Sequence, residues 1–457
     1  MSFDVQGRRV IVVGAGRSGL AAARLLASRG ASVTLADAAD RLDAAGALRA
    51  AGIAVELGPH QPAQFSSADL LVMSPGVPLD QPAIAAARAA GVPVIGEVEL
   101  ASRWLAGRVI AITGTKGKST TTTLTARMLA EAGRDATAGG NLGTALSTQV
   151  DASRRESLHV VEVSSFQLET TDRFHPWIAV LLNFSADHLD RHHSIEAYGR
   201  AKARIFTNQT GEDWALVNAD DPAALALAAG GRARRFDFAL DAPVSDGVTV
   251  EGEAIVRRDR GQAAPLLPLT SVHLPGRHLL TDVLAATAVG CVAGIPAEAM
   301  RRAVEGFGGL EHALERVATI GGVAFVNDSK ATNIASARRS LESFPGGVVA
   351  IMGGRFKGGS FAELRDVVAE RAAAVVAIGE SAPLVRAAFE DVVPVDDAVS
   401  MEDAVRRAYG RARSGGVVLL APACASFDMF RDYAERGRVF KDAVQRLAGG
   451  GAAPSVN

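Results

Sequence analysis

Short runs rich in β-branched residues alternate with alanine-rich runs along almost the whole chain. This alternation is typical of parallel β-sheets covered by helices, because two parallel strands need a long crossover connection that is usually a helix. The chain is therefore predicted to fold as an α/β protein. In the first block the predicted strands are Val10–Val13, Ser32–Ala36, Leu70–Ser74 and Pro93–Ile95, and the predicted helices include Ser18–Ser28 and Pro82–Ala90.

The length of the chain and two further starts of the same pattern predict three consecutive domains. With 457 residues the chain exceeds what one ordinary hydrophobic core supports. We predict a Rossmann-like N-terminal domain at residues 1–97, a central P-loop ATPase-like domain at 98–311 and a Rossmann-like C-terminal domain at 312–457. Short alternating segments with Gly and Pro between about 241 and 274 predict a small antiparallel insertion in the central domain.

Composition argues against several classes of protein. The 48 basic and 50 acidic residues leave a net charge of -2, which does not favour binding to nucleic acid or to an anionic membrane. The two cysteines, Cys291 and Cys424, are too far apart for a metal-binding motif and favour a reducing compartment. The first apolar run is interpreted as a strand rather than a signal peptide, and no apolar run is long enough to span a bilayer. We therefore expect a cytoplasmic protein without membrane insertion.

The sequence "ITGTKGKSTTT", from Ile112 to Thr122, is the strongest single motif. It lies between a predicted strand and a predicted helix, the context of a phosphate-binding loop, although Ile112 stands where the Walker pattern has its first glycine. Backbone N–H groups can surround phosphate oxygens, Lys118 can reach the β- and γ-phosphates, and Ser119 or Thr120 can bind magnesium. A polar loop that merely caps a helix is the less favoured alternative. The residues predicted to bind ATP are Gly114, Thr115, Lys116, Gly117, Lys118, Ser119 and Thr120.

A second glycine-rich turn lies near the beginning of the chain. Gly14, Gly16 and Gly19 stand between a predicted strand and helix, and Asp37 ends the next strand. Glycines at this spacing allow a tight turn that places phosphate at a helix N-terminus, although they also serve close helix–sheet packing. Because the rest of the chain offers no hydride-transfer constellation, we predict a nucleotide site here without assigning NAD.

Polar side chains follow two buried runs of the central block. Glu162 ends one predicted strand, and Asp187 and His188 follow another. The carboxyl ends of strands are where open α/β sheets bind ligands, and magnesium prefers oxygen ligands. Each residue alone has an ordinary alternative, such as capping a helix. Together they predict a magnesium site beside the phosphate loop.

The third block also ends its strands in polar residues. They include the glycine-rich turn of Lys357 and a position, Ser426, that precedes a predicted helix. These strand ends predict either a wall that recognises anions or routine capping of helices, and the residues alone leave both open. The candidates are Lys330, Thr332, Lys357 and Ser426.

The motifs taken together resemble the Mur ligases over nearly the whole chain. That family's phosphate loop is short in the same way, which accounts for the unusual spacing. The segments that carry the resemblance, in the family's order, are "TGTKGKST", "GGNLG", "EVSSFQLE", "ADHLDRH", "YGRAKARIF", "NDSKATN" and "PACASFDMF".

The resemblance implies ATP-dependent amide synthesis in cytoplasmic peptidoglycan precursor formation. The implied reaction joins D-glutamate to UDP-N-acetylmuramoyl-L-alanine through an acyl phosphate, with ATP and two Mg²⁺ ions, in a monomeric enzyme. The alternatives are a related ligase that adds another amino acid or L-glutamate and, from a different class, an NAD-dependent oxidoreductase.

The resemblance also implies roles for individual residues. Lys118, His188 and Lys202 match catalytic positions, and Lys202 matches a lysine that is carbamylated in this family. The implied magnesium ligands are Ser119, Glu162, His188 and carbamylated Lys202. The implied contacts to the UDP substrate are Gly14, Gly16, Arg17, Ser18, Asp37, Ser74 and Asn141, and those to the amino acid are Lys330, Thr332, Lys357, Ser426 and Phe427.

The chain departs from the family pattern at a few positions. Leu279 and Asp282 stand where asparagines are expected, Ala313 where arginine is typical, and Lys116 where asparagine is common. These departures concern the contacts to adenine and uracil and the contacts at the hinge rather than the type of reaction.

Overall fold

The computed structural model describes residues 3–274, 276–356 and 358–449, and only the backbone of residues 189 and 190. The chain divides into two compact units. The first holds residues up to 272 together with 281–306, and the second holds 273–280 together with the residues from 307 onward. No helix within the described residues is long and apolar enough to cross a membrane.

The first sheet is parallel, with strand order β3-β2-β1-β4-β5. The order reverses direction at β1 and β4, which opens a crevice at their carboxyl ends where α/β proteins bind ligands. The strands are β1 (Arg9–Val13), β2 (Ser32–Asp37), β3 (Ala54–Leu57), β4 (Leu70–Met73) and β5 (Val94–Gly96). The helices are α1 (Arg17–Ser28), α2 (Ala45–Ala50), α3 (Pro62–Ser66), α4 (Pro82–Ala89) and α5 (Glu97–Ser102).

The second sheet, in the same unit, is also parallel and has the order β11-β10-β9-β6-β8-β7. Its strands are β6 (Arg108–Thr113), β7 (Ala136–Gly140), β8 (Leu158–Glu162), β9 (Ile178–Leu181), β10 (Trp214–Val217) and β11 (Arg234–Arg235). The helices of this region are α6 (Lys118–Glu131), α7 (Ser165–Leu168), α8 (Leu189–His192), α9 (Ile195–Ala203), α10 (Pro222–Ala228), α11 (Arg277–Val292) and α12 (Ala297–Glu305). β6 lies between β8 and β9 and pairs with both over residues 110–112, which explains why its run of apolar residues is continuous.

A small sheet follows, in which β14 pairs antiparallel with both β13 and β15. Its strands are β12 (Asp237–Phe238), β13 (Gly247–Glu251), β14 (Ala254–Asp259) and β15 (Gln262–Pro268). The predicted antiparallel insertion is confirmed.

The second unit contains a six-stranded sheet with the order β16-β17-β21-β18-β19-β20. All its pairs are parallel except the hairpin of β16 and β17, where Gly321 and Gly322 adopt positive φ angles of 57° and 79°. The strands are β16 (Glu315–Ile320), β17 (Val323–Asn327), β18 (Val348–Gly353), β19 (Ala372–Ile378), β20 (Val395–Ala398) and β21 (Val417–Leu420). The helices are α13 (Ile334–Glu342), α14 (Arg365–Arg371), α15 (Ala382–Phe389), α16 (Met401–Arg411) and α17 (Tyr433–Gly449).

The predicted class, three consecutive α/β sheets with an antiparallel insertion, is therefore confirmed. The boundaries at 97/98 and 311/312 stay predictions.

The buried carboxylate of Glu99 connects α5, which follows the last strand of the first sheet, to the segment that precedes β9 of the second sheet. Glu99, on α5, is fully buried and accepts three backbone hydrogen bonds at 2.9–3.0 Å from Asp172, Arg173 and Phe174. Its other oxygen accepts a hydrogen bond from Arg103 Nε over 2.7 Å. The carboxylate thus accepts from three N–H groups and shares the cation of Arg103 with Asp172, which compensates for its own burial.

Replacing this carboxylate should destabilise the first unit. In Glu99→Ala the three N–H groups lose their acceptor and Arg103 loses one of its two carboxylate partners, so we expect the free energy of unfolding to fall by about 3–5 kcal/mol. Urea denaturation monitored by circular dichroism measures the change. Glu56→Ala, which removes an exposed carboxylate, is the matched control and should change stability by less than about 0.5 kcal/mol. A loss for Glu99→Ala no larger than that of the control would contradict the argument.

Candidate active site

The phosphate loop connects β6 to α6 at the centre of the second sheet, as predicted. Gly117 is the N-cap of α6 and adopts a φ of 84°, a left-handed conformation that favours glycine. A Cβ atom at this position would also overlap the carboxyl group of Asp282. Residues other than glycine are therefore disfavoured at position 117 for two independent reasons, the left-handed backbone and the overlap with Asp282. A glycine here leaves the N-terminus of α6 open to an anion.

Glu162 and Ser119 meet at the edge of the sheet. Ser119 Oγ donates a hydrogen bond to Glu162 Oε2 over 2.6 Å, and Asn141 Nδ2 donates to Glu162 Oε1 over 2.7 Å. Because Glu162 ends β8 and is 2% exposed, its carboxylate is held in a fixed position. The structure therefore brings together two predicted magnesium ligands and one predicted substrate contact.

These oxygens suit a magnesium ion that arrives with a nucleotide. Magnesium is commonly bound through one or two carboxylates together with substrate phosphates and water. No cluster of three or more His, Cys, Asp and Glu side chains that could hold a metal occurs in the described part of the chain. Ser119 and Glu162 supply a hydroxyl and a carboxylate for this purpose.

The segment after β9 fixes the loop from the other side. Lys116 N donates to Asn183 Oδ1 over 2.9 Å, and Asn183 Nδ2 donates back to Lys116 O over 3.1 Å. Thr115 N donates to Asn183 O over 3.1 Å, and Thr115 Oγ1 lies 3.3 Å from the hydroxyl of Tyr198. These contacts hold the loop backbone in place before any ligand binds, which reduces the entropy that binding would cost.

Two lysines converge on one carbonyl of the loop. Lys118 Nζ donates to Gly114 O and Thr115 O, each over 3.0 Å, and Lys202 Nζ donates to Gly114 O over 2.7 Å. Lys202 is 1% exposed, and its Nζ lies 4.7 Å from the centre of the Tyr198 ring. Burial, and secondly the charge of Lys118, lower the pKa of Lys202 to about 7. A sizeable fraction of Lys202 is therefore a neutral amine near neutral pH.

His188 and Asp187 stand at the exposed side of the site. The His188 side chain is half exposed, its φ is 53°, and its ring lies 5.0 Å from that of Phe166. Burial opposes ionisation of Asp187, but the charges of Lys116 and His188 outweigh it and lower the pKa of this carboxyl. Lys116 Nζ lies 3.4 Å from Asp187 Oδ2, so an ion pair joins the loop to the segment after β9.

An aromatic cluster that the sequence did not single out supports these residues. The rings of Phe166 and Tyr198 flank His192, with centroids 5.3 and 5.1 Å from its ring. His192 is buried, its Nε2 lies 2.9 Å from Ser165 Oγ, and its Nδ1 lies 3.0 Å from Glu169 Oε1. Tyr198 therefore packs under both Lys202 and the histidines. The aromatic content of "SSFQLE" and "EAYGRAK" is the only sequence signal that could have indicated it.

In the first sheet, the glycine-rich turn and β4 meet at the crevice. Ser74 Oγ donates to Gly14 O over 3.2 Å, and a Cβ on Gly14, whose φ is 93°, would overlap Ser74. The oxygens of Asp37 accept backbone hydrogen bonds from Ala15 N over 2.5 Å and from Ala39 N over 2.9 Å. Asp37 thus orders the turn itself. Gly16 caps α1, where Arg17 is exposed and Ser18 half-buried.

In the second unit, three loops lie side by side beyond the carboxyl ends of β17, β21 and β18. Ala423 N donates to Ala331 O over 3.0 Å, and Arg355 and Ala425 exchange two backbone hydrogen bonds. The predicted residues on these loops differ in accessibility: Lys330 is exposed, Thr332 half-buried, Ser426 buried and Phe427 61% exposed. Lys357 lies outside the described residues.

One expectation for this edge is wrong, and one residue was missed. Ser426 does not precede a helix directly: it lies in a turn, and α17 begins only at Tyr433. The missed residue is Arg436 on α17, a buried cation that donates to Ser329 Oγ over 2.9 Å and to Cys424 O over 3.1 Å. Burial lowers the pKa of Arg436 to about 10. It ties the loops after β17 and β21 together.

The glycine-rich loop carries Lys118 and lies beside the buried carboxylate of Glu162 at the edge of a parallel sheet. This combination defines a phosphate-binding enzyme site. Three family models match the chain: "Mur ligase MurD-like, N-terminal domain" at residues 8–96, "Mur ligase middle domain" at 112–290 and "Mur ligase, glutamate ligase domain" at 314–424. The chain belongs to the Mur ligase family, whose members are ATP-dependent amide-forming ligases.

Individual relatives agree with this assignment. The chain is 48% identical to the UDP-N-acetylmuramoylalanine–D-glutamate ligase of Acidobacterium capsulatum, over 100% of this chain and 99% of the relative. It is 46% identical to the protein of the same name from Anaeromyxobacter dehalogenans, over 96% of this chain and 97% of the relative. These matches give no support to the alternative of an NAD-dependent oxidoreductase.

A solved structure shows the same fold. The UDP-N-acetylmuramate–alanine ligase of Thermotoga maritima superposes with a TM-score of 0.59 at 19% identity, covering 96% of this chain and 100% of that chain. At this identity the likeness concerns the fold alone.

The geometry of Gly117 generates a test of the loop. Gly117→Ala places a Cβ against Asp282 and forces a left-handed conformation that costs an L-residue roughly 1–2 kcal/mol. We expect the dissociation constant of an ATP analogue, measured by calorimetry, to rise at least tenfold. Gly133→Ala is the matched control, because Gly133 has a φ of 70° but no atom within 4 Å of the added Cβ. Equal effects of the two substitutions would show that backbone strain, not the loop, is responsible.

Proposed function

We propose that this enzyme uses ATP to join the amine of D-glutamate to the L-alanyl carboxyl of UDP-N-acetylmuramoyl-L-alanine, in peptidoglycan precursor synthesis. The observation that carries the proposal is the contact of Ser119 with buried Glu162 beside Lys118, within a chain that matches D-glutamate ligases over its full length. This arrangement can position a nucleotide triphosphate and its metal at one sheet edge.

The reaction needs activation because a carboxylate is a poor acceptor for an amine. In the proposed sequence the carboxylate oxygen attacks the γ-phosphorus of ATP, ADP leaves, and an acyl phosphate forms. The amine then attacks the acyl carbon, gives up a proton, and inorganic phosphate leaves from the tetrahedral intermediate. Catalysis of phosphoryl transfer is mostly positioning and neutralisation of charge.

The residues of the loop supply these two effects. The N–H groups from Gly114 to Ser119 surround the phosphates, and Lys118, which now donates to two loop carbonyls, turns to the transferring phosphoryl group. Ser119 and Glu162 would hold magnesium, which neutralises charge on the phosphates when bound. Asn141, hydrogen-bonded to Glu162, orients that carboxylate and faces the UDP substrate.

Lys202 is proposed to act as a carbamate. The ammonium first loses a proton; the neutral amine then attacks carbon dioxide, an N–C bond forms and a second proton is lost, so that a cation becomes an anion overall. The lowered pKa of Lys202, about 7, supplies the neutral amine that this step requires. The carbamate, together with His188, would then help to hold a second magnesium ion.

The remaining residues are proposed to hold the two other substrates. The crevice formed by Gly14, Gly16, Arg17, Ser18, Asp37 and Ser74 would bind the UDP moiety. The loops of Lys330, Thr332, Lys357, Ser426 and Phe427 would bind glutamate, with domains divided at 97/98 and 311/312. We further propose that the enzyme works as a monomer in the cytoplasm.

An amino-acid panel tests the proposed substrate. With UDP-N-acetylmuramoyl-L-alanine and ATP, phosphate release should depend on D-glutamate and be at least a hundredfold slower with D-alanine, D-glutamine or L-glutamate. Lys118→Ala, which removes the cation of the loop, measures the background. The alternative of a ligase for another amino acid would be supported if a different member of the panel gave the fastest release.

The carbamate has its own pH signature. Since the pKa of Lys202 is lowered to about 7, the neutral amine, and with it the extent of carbamylation at fixed dissolved carbon dioxide, should rise as pH increases from 6 to 8. Lys202→Ala should lose at least a hundredfold in turnover, and added acetate or formate should restore part of it. Arg200→Ala, on the exposed face of the same helix, is the control. An intact mass that shows unmodified lysine in fully active enzyme contradicts the proposal.

A further inference from the structure

Asp282 is a buried acid that the proposed mechanism does not use. It lies on α11 within the first unit and is 4% exposed. Its carboxyl group packs against Gly117, with Oδ2 3.0 Å from where a Cβ of that residue would stand. A carboxyl group therefore sits directly beneath the N-terminal end of α6, where the phosphates of a nucleotide would bind.

Ionisation of a carboxyl group in this position is costly. Burial raises the pKa of Asp282 well above its usual range, and the hydroxyl of Thr121 and the charge of Lys118 oppose this only in part. The hydroxyl of Thr121 interacts with this carboxyl group, but within the described residues Thr121 Oγ1 makes no hydrogen bond of regular geometry. A protonated Asp282 can donate to this hydroxyl oxygen, which would give Thr121 Oγ1 a partner.

The charge of Asp282 also matters to a nucleotide. The field at the N-terminus of α6 and the cation of Lys118 favour one negative group. An ionised Asp282 would partly cancel this positive potential and would repel the phosphates of a nucleotide. A neutral Asp282 leaves the potential of the helix N-terminus and of Lys118 available to the phosphates.

We propose that Asp282 is a positioning residue that supports the phosphate loop as a neutral carboxylic acid, and that ATP binding weakens when Asp282 ionises at alkaline pH. The inference rests on the proposed function, because it assumes that the loop binds ATP. Asp282 does not touch the reacting atoms and acts through Gly117 and Thr121.

The first experiment separates a neutral from a charged role. The probe is the magnesium complex of adenylyl imidodiphosphate, and the dissociation constant is measured by calorimetry at pH 7 for the wild type and two variants. Asp282→Ala should bind at least tenfold more weakly, and Asp282→Asn, a neutral isostere, should restore most of that loss. Thr287→Val, which replaces a buried hydroxyl further along α11, controls for general disturbance of the helix. Thermal denaturation verifies that each variant is folded.

Two outcomes at pH 7 would overturn the inference. If Asp282→Asn binds as weakly as Asp282→Ala, the loop needs a negative charge, and Asp282 acts as an ionised partner of Lys118. If Asp282→Ala binds as well as the wild type, Asp282 does not support the loop. A wild type that fails to bind the probe would instead overturn the proposed function, and the inference with it.

The second experiment uses pH to isolate Asp282. Other groups near the loop also titrate or carry charge, namely Lys118, Lys202, Lys116 and Asp187, but they are common to the wild type and Asp282→Asn. Dividing the dissociation constant of the wild type by that of Asp282→Asn therefore cancels the pH dependence that these shared groups cause. We expect this ratio to rise at least threefold between pH 7 and 9.5, because only the wild type can ionise at position 282. A ratio that stays constant or falls over this range overturns the inference.

Discussion

The parallel pairing of β6 with β8 on one side and β9 on the other is the constraint on which the candidate active site depends. Parallel strands end at the same edge of a sheet, and the register places Ile112 opposite Glu162 and Thr113 opposite Leu181. The phosphate loop, the carboxylate of Glu162 and the segment that begins at Leu182 must therefore emerge together. Hydrogen bonds exchanged between Lys116 and Asn183, and the one that Ser119 donates to Glu162, then fix their relative positions.

Charge is distributed unevenly around this edge. Two lysines, Lys118 and Lys202, share the Gly114 carbonyl, and a buried acid, Asp282, lies below the loop. In each case burial determines which protonation state is favoured: it lowers the pKa of Lys202 and raises that of Asp282. Both shifts favour the neutral form of the side chain. The phosphate loop, which is predicted to bind the negative charge of a nucleotide, is thus bordered by two ionisable side chains, Lys202 and Asp282, whose neutral forms are favoured.

The sequence was sufficient to predict the order of the elements and that Glu162 lies at the same sheet edge as the phosphate loop. Buried strands have continuous apolar runs that end in polar residues, so the position of Glu162 beside the loop follows from strand order once β6 is taken as central. The burial of Lys202 could not be predicted from its helix, because a lysine in "YGRAKARIF" fits a solvated face equally well.

Other features depend on long-range packing that local patterns do not encode. Asp282 stood out as a departure from the family pattern, but its contact with Gly117 joins residues far apart in the chain. The turn at Ser426 was wrongly predicted to precede a helix directly, because a serine that follows a strand is also a common N-cap of a helix. Arg436 is buried against backbone carbonyls, and nothing in the sequence around it distinguishes it from an exposed helical arginine.

The central claim is that the phosphate loop transfers the γ-phosphoryl group of ATP to a carboxylate. Isotope transfer tests it most directly: UDP-N-acetylmuramoyl-L-alanine labelled with ¹⁸O in both carboxyl oxygens is turned over with D-glutamate, and the released phosphate is analysed by mass spectrometry. Because one carboxyl oxygen leaves with phosphorus when the acyl phosphate breaks down, each phosphate should carry one ¹⁸O atom. Phosphate without the label would contradict the account.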